Sequence, residues 1–121
     1  MNRTELLKNL HTLSENELFY REYQMARNNK ETFSAYLKSL NVDEMLQKHY
    51  VIPELAETMP PAMKDEYFFS AGNSGMQIQK HGCYSPEFRH FHTYFEAFYV
   101  FEGTCEHEIN NKRTTLIMGD F

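Results

Sequence analysis

The first half of the chain carries apolar residues at helical spacing. Leu6, Leu10 and Leu13 recur every three or four residues, which places them on one face of a helix. Ser14 followed by Glu17 is the pattern of a capping box, in which the side chain of each residue bonds the backbone N–H of the other. The pattern therefore predicts one helix before Ser14 and a second helix that begins there.

Two further helices are predicted before the middle of the chain. Asn28–Asn29 interrupts the second helical pattern, and Asn41 is the expected end of a third. A short fourth helix is expected to end before Pro53, because the residue before a proline disfavours helical backbone. The apolar stripes of the third and fourth helices are Phe33, Tyr36, Leu37 and Leu40, then Met45, Leu46 and His49.

After Asp65 the pattern changes to the alternation that is typical of strands. Residues 71–75 (AGNSG) predict a turn, and Asn110–Asn111 suits a two-residue hairpin turn because asparagine tolerates positive φ. The predicted strands are Tyr67–Phe69, Met76–Lys80, Phe88–His92, Glu96–Glu102, Cys105–Ile109 and Arg113–Met118.

These elements predict an α+β fold, with a helical N-terminal region over residues 1–65 and an antiparallel sheet over residues 66–121. A small closed β-barrel usually needs about eight strands. Since fewer can be drawn here, the barrel is expected to be incomplete where the chain stops at Phe121. Exposed sheet edges recruit other chains, so we expect a homodimer, or strands supplied by a partner.

Composition and charge narrow the functional classes. With 121 residues, of which 41% are hydrophobic, the chain can form the core of one domain. Its net charge of −5 argues against DNA binding by this chain itself, since phosphate binding requires a basic face. No stretch predicts a membrane span or a signal peptide, and Cys83 and Cys105 lack CxxC spacing. We therefore expect a cytoplasmic protein with free thiols.

His90, His92 and Glu96 form the one constellation that suggests chemistry. Imidazole and carboxylate are common ligands of transition metals. On one straight strand Glu96 would lie roughly 20 Å from His90, at about 3.3 Å per residue. The three side chains can converge only if the chain turns back near Thr93–Phe95. The spacing therefore predicts a strand with both histidines, a tight reversal, and a second strand that begins near Glu96.

This spacing resembles the first motif of the cupin superfamily, which is HxH, three residues, Glu, six residues and Gly. His90, His92, Glu96 and Gly103 fit the motif without gaps, and Gly119–Asp120 resembles the pair that opens the second cupin motif. Within the cupins, the segment FRHFHTYFEAFYVFEGTCEHEIN is most similar to the N-terminal sensing domain of AraC-type transcription regulators. The resemblance covers the last third of the chain and implies a jelly-roll sheet.

For function, the resemblance implies a non-catalytic domain that binds a small-molecule effector and dimerises. The residues expected to bind the effector are His90, His92, Glu96, Tyr84 and Tyr94. DNA contact would belong to a C-terminal helix-turn-helix domain that is not in this chain. The sequence departs from the family at Tyr84, where the family has glycine, and in the proline, glycine and histidine of the second motif, which do not occur.

One alternative is a metal-dependent cupin enzyme, such as a dioxygenase or isomerase. In that interpretation His90, His92 and Glu96 would hold a divalent transition metal. The other interpretation of the same residues is a polar pocket without metal, whose shape is inherited from metal-binding relatives. No glycine-rich phosphate loop or GxSxG elbow indicates phosphate or nucleophilic chemistry.

Overall fold

The computed structural model of this α+β protein describes residues 1–60 and 75–121. Contacts within the chain define two compact units, Met1–Phe91 and His92–Phe121. None of the helices in the described ranges is both long and apolar enough to cross a membrane. The elements in chain order are α1 (Arg3–His11), α2 (Glu15–Arg27), α3 (Lys30–Ser39), α4 (Val42–Gln47), a 3-10 helix (Ala56–Thr58), β1 (Thr104–Ile109) and β2 (Lys112–Ile117).

Side-chain caps define where the helices begin. Ser14 and Glu17 form the predicted capping box at the start of α2: the Glu17 N–H donates to Ser14 Oγ, and the Ser14 N–H donates to Glu17 Oε2. Asn29 and Asn41 are the N-caps of α3 and α4. Asn41 therefore starts the fourth helix rather than ending the third, because its side chain accepts the Glu44 N–H.

The core of the first unit is built largely from tyrosines. Tyr20 and Tyr23 of α2 are buried together with Met45, Tyr50 and Ile52. The hydroxyl oxygen of Tyr20 accepts the backbone N–H of Val51 at 2.7 Å, so a buried donor is satisfied. Apolar residues of α3 pack against this cluster, as their helical spacing predicts. They are Phe33, Tyr36 and Leu37, together with Leu40, which directly follows α3.

A buried carboxylate attaches the segment after residue 75 to the helices. Glu17 is only 1% exposed, and its Oε2 lies 2.6 Å from Lys80 Nζ. Lys80 also donates to the carbonyls of Leu10 and Thr12, and the Cys83 N–H donates to Glu17 Oε1 at 3.2 Å. Burial by itself raises the pKa of Glu17. The hydrogen bonds that its carboxylate accepts from Lys80, the Ser14 N–H and the Cys83 N–H, together with the Lys80 charge, outweigh burial and lower the pKa to about 2.

The second unit contains an antiparallel β1–β2 hairpin in which Thr104 pairs with Ile117 and Ile109 with Lys112. Its turn is Asn110–Asn111, with φ of 51° and 64°, so the predicted two-residue turn with positive φ is confirmed. On one face the Arg113 guanidinium lies 3.3 Å from Glu106 and 3.5 Å from Glu108.

The two strands of the hairpin are the ones that were predicted near Cys105–Ile109 and Arg113–Met118. The predictions of regular strands at Met76–Lys80, Phe88–His92 and Glu96–Glu102 are wrong: these residues form no extended strand, and within Phe88–His92 only His92 forms an isolated β-bridge. Within Glu96–Glu102, Val100 still forms two backbone hydrogen bonds: its N–H donates to the Asp120 carbonyl and its carbonyl accepts the Gly119 N–H. Alternation shows which face a residue would take, but a strand also needs a bonded neighbour.

Three sequence predictions lie outside the described residues. They are the strand Tyr67–Phe69, the turn at 71–75 except for Gly75, and the domain boundary at residues 65–66. The described part of the sheet has two strands and does not define a jelly roll.

Candidate functional site

The candidate site lies at a bend between His92 and Glu96. The chain bends at Thr93 and Tyr94, where the sequence predicts a reversal. Across the bend, His92 Nε2 lies 3.1 Å from Glu96 Oε2. Both side chains are partly exposed, at 24% for His92 and 33% for Glu96. Two of the three residues of the HxH–Glu spacing are thus in contact and accessible to a small molecule.

The other ring nitrogen of His92 fixes the chemistry of this contact. His92 Nδ1 lies 2.7 Å from the Tyr94 carbonyl, which can only accept, so Nδ1 carries a proton. If the imidazole is neutral, Nε2 has a lone pair that faces a carboxylate oxygen. That contact is favourable only with a proton or another cation between the two atoms. The pair is therefore suited to binding a cation or a ligand hydroxyl.

Tyr94 lies next to the His92–Glu96 pair and contacts His92. Its ring stacks on His92 with the centroids 4.3 Å apart and the planes inclined by 12°. Burial, and secondarily the charge of Glu96, raises the pKa of Tyr94 above its usual range. The phenol therefore stays protonated near neutral pH and can donate a hydrogen bond to a ligand.

The structure describes His90 and Tyr84 within the first unit. His90 is exposed, with Nδ1 3.3 Å from the Phe88 carbonyl and its ring 4.9 Å from that of Phe88. Tyr84 packs against the tyrosine core, and its carbonyl accepts a hydrogen bond from Gln24. The roles of His90 and Tyr84 in binding an effector stay predictions.

Among residues 1–60 and 75–121, no group of three or more His, Cys, Asp or Glu side chains is arranged to hold a metal ion. His92 and Glu96 supply two donors of the kinds that transition metals take. A catalytic zinc site usually has three protein ligands. Metal binding by His90, His92 and Glu96 together therefore stays a prediction.

A contact that the sequence does not reveal joins the bend region to the hairpin. The His107 ring meets the Phe98 ring edge-on, with the centroids 5.0 Å apart. His107 and Cys105 share the half-buried face of β1. Alternation indicates that they share a face, but the partner ring on Phe98 depends on how the chain folds back.

The glycines of the resemblance flank the base of the hairpin. Gly103 and Gly119 both have positive φ, 78° and 92°, a conformation that glycine adopts without strain. Next to them, the backbone of Val100 hydrogen-bonds that of Gly119 and Asp120, as described above. Comparison with known proteins adds nothing to this geometry, because no family model, curated protein or solved structure matches the chain.

Proposed function

We propose that the chain is the effector-binding and dimerisation domain of an AraC-type transcription regulator, with a cupin-type jelly-roll sheet. The observation that carries the proposal is the contact between His92 Nε2 and Glu96 Oε2 across the bend. These are the residues that the resemblance assigns to the pocket. The pairing of Val100 with Gly119 and Asp120 supports the proposal further, because it joins the end of the first motif to the start of the second.

The effector would be a small polar metabolite. His92 and Glu96 offer a donor or acceptor and a carboxylate, and the Tyr94 phenol offers a donor beside an aromatic face. A hydroxyl group fits between His92 Nε2 and Glu96 Oε2 because it can accept from one and donate to the other. His90 and Tyr84 are the further side chains proposed for the pocket.

Regulation follows if the effector binds one arrangement of the protein more tightly than another. A ligand shifts such an equilibrium only by its differential affinity for the two states. A ligand group inserted between His92 Nε2 and Glu96 Oε2 would separate two side chains that are in contact across the bend. DNA binding would belong to a C-terminal domain, in keeping with the net charge of −5 on this chain.

The second candidate is a metal-dependent cupin enzyme, and one observation favours it. The His92 Nδ1–H donates to the Tyr94 carbonyl and leaves Nε2 directed at a carboxylate. Metal-binding histidines usually donate their other N–H to a carbonyl or carboxylate in this way. His90 would be the third ligand, and a bound divalent metal would supply Lewis acidity or oxygen activation.

Metal analysis separates the two candidates. The protein, purified without chelators, would be analysed for transition metals. The molecular mass of the same sample would be measured in solution. We expect no stoichiometric metal and a dimeric mass. Near one equivalent of metal, lost in His92→Ala and retained in the control His11→Ala, would contradict the regulator and favour the enzyme.

Thermal unfolding with a panel of sugars and other hydroxylated metabolites tests the pocket itself. An effector should raise the unfolding temperature of the wild type but not that of Glu96→Gln. The exposed Glu57 of the first unit provides the matched control Glu57→Gln, which should respond like the wild type. An equal response in Glu96→Gln would show that the effector binds elsewhere.

A further inference from the structure

The two outer edges of the hairpin differ in how well they can pair with another strand. In the described part of the chain the sheet consists of β1 and β2 alone. A two-stranded hairpin is only marginally stable in water. An unpaired strand edge is also a template for pairing with another chain. Unpaired backbone N–H and C=O groups determine which edge of the hairpin can pair with a further strand.

The edge of β2 presents four backbone groups over three residues. A two-residue turn closes on a hydrogen-bonded pair, so from Asn110–Asn111 onward the backbone groups of Arg113 and Thr115 point away from β1. No described residue hydrogen-bonds these four groups. The next outward residue, Ile117, already donates to Asp120 Oδ2 at 2.8 Å and accepts the Asp120 N–H at 2.9 Å. The available edge therefore ends before Ile117.

We infer that this edge pairs antiparallel with the same edge of a second copy of the chain, about a two-fold axis at Thr114. In this register Arg113 faces Thr115 of the partner subunit, and Thr115 faces Arg113 of the partner subunit. All four outward backbone groups then form hydrogen bonds. The two Thr114 side chains meet at the central, non-hydrogen-bonded pair, where threonine pairs are favourable. The result is a continuous four-stranded sheet with a self-complementary interface.

Charge disfavours the corresponding pairing of β1. Registers centred on Glu106 or His107 would place glutamate directly opposite glutamate, which is destabilising. On β2, by contrast, the Arg113 charge is compensated within its own hairpin by Glu106 and Glu108, at 3.3 and 3.5 Å. A second copy can therefore approach β2 without bringing uncompensated like charges together.

This interface rests on the dimerisation part of the proposed function and is independent of the effector pocket. The mass of the 121-residue chain in solution would be measured over a concentration series for the wild type, Thr115→Pro and Thr104→Pro. Proline at Thr115 removes an outward N–H and no bond between β1 and β2. We expect it to raise the dimer dissociation constant about tenfold or more.

Thr104→Pro is the matched control, because the Thr104 N–H points outward on the opposite edge, and it should dimerise like the wild type. A wild type that is monomeric at every concentration would overturn both the interface and the dimerisation part of the proposed function. A dimer that Thr115→Pro leaves unchanged would overturn the interface alone.

A disulfide test gives the register without depending on how proline is tolerated. In a background of Cys83→Ser and Cys105→Ser, Thr114→Cys would place two thiols at the two-fold axis. Their Cα atoms would lie about 4.5 Å apart, within disulfide range. Thr115→Cys is the control, because Thr115 faces Arg113 of the partner subunit. Thr114→Cys should form the crosslinked dimer about tenfold faster. Equal rates, or no crosslink in either variant, would overturn the register.

Discussion

At the scale of single residues, two core tyrosines predict mutational effects of opposite sign. The Tyr36 hydroxyl oxygen is buried, and no described residue hydrogen-bonds it. Tyr36→Phe should therefore raise the free energy of unfolding by about 1 kcal/mol, because an unpaired polar group leaves the core. Tyr20→Phe should lower it by about 1.5 kcal/mol, because the buried N–H of Val51 would lose its acceptor.

Urea unfolding followed by tyrosine fluorescence measures both changes, since the chain has no tryptophan. The two variants remove the same atom, so each is the control for the other. Free energies of unfolding that change in the same direction would contradict the hydrogen-bonding difference between Tyr20 and Tyr36.

Residue contacts could be predicted from the sequence where the residues are close along it. The parity of His92 and Glu96, combined with the expected reversal, predicts their contact, and the structure has it at 3.1 Å. The contact of Glu17 with Lys80 could not be predicted, because it joins residues far apart in the sequence. The capping box identified only the local role of Glu17, and nothing near Lys80 indicates that it binds a buried carboxylate.

At the scale of elements, the caps of α1 and α2 predict different costs for the same kind of change. Ser14→Ala removes the acceptor of the Glu17 N–H at the start of a helix that carries the tyrosine core. We expect a loss of about 1 kcal/mol in the free energy of unfolding. Asn2→Ala removes the equivalent cap of α1, which buries no residue. Its loss should fray α1 and leave global unfolding nearly unchanged.

Circular dichroism and urea unfolding on both variants distinguish local fraying from a global effect. A loss of global stability in Asn2→Ala as large as that in Ser14→Ala would contradict the difference between the two helices.

The same contrast explains which elements the sequence could predict. A helix bonds within its own segment, so caps such as Ser14 and the spacing of Phe33 and Tyr36 are sufficient signals. A strand forms its backbone hydrogen bonds with a neighbouring strand, and the alternating pattern does not identify that neighbour. The hairpin could be predicted because the two-residue turn Asn110–Asn111 makes the next segment of the chain the partner of β1. At residues 76–80 and 88–92 the same alternation has no such local partner.

At the scale of the whole molecule, Glu17 links folding to pH. Its pKa is about 2 in the folded chain against 4.5 for an ordinary glutamate, so the unfolded state binds the proton more tightly. The stabilisation is fully present above about pH 4.5 and is lost as the pH falls from there through about 2. Its size is up to about 3 kcal/mol, from the difference between the two pKa values.

The variant Glu17→Gln should remove this acid-dependent stabilisation. Below pH 3 its free energy of unfolding should approach that of the wild type. At pH 7 it should lie up to about 3 kcal/mol lower, because Lys80 loses its ion-pair partner. Glu15→Gln is the control on the same helix: hydrogen bonding to Lys48, then its charge, lowers the pKa of Glu15, but this pair is solvent-exposed. It should keep the acid dependence of the wild type, because exposed ion pairs contribute little to stability. An unaltered acid dependence in Glu17→Gln would mean that the attachment of residues 80–83 to α2 does not govern the acid stability of the chain.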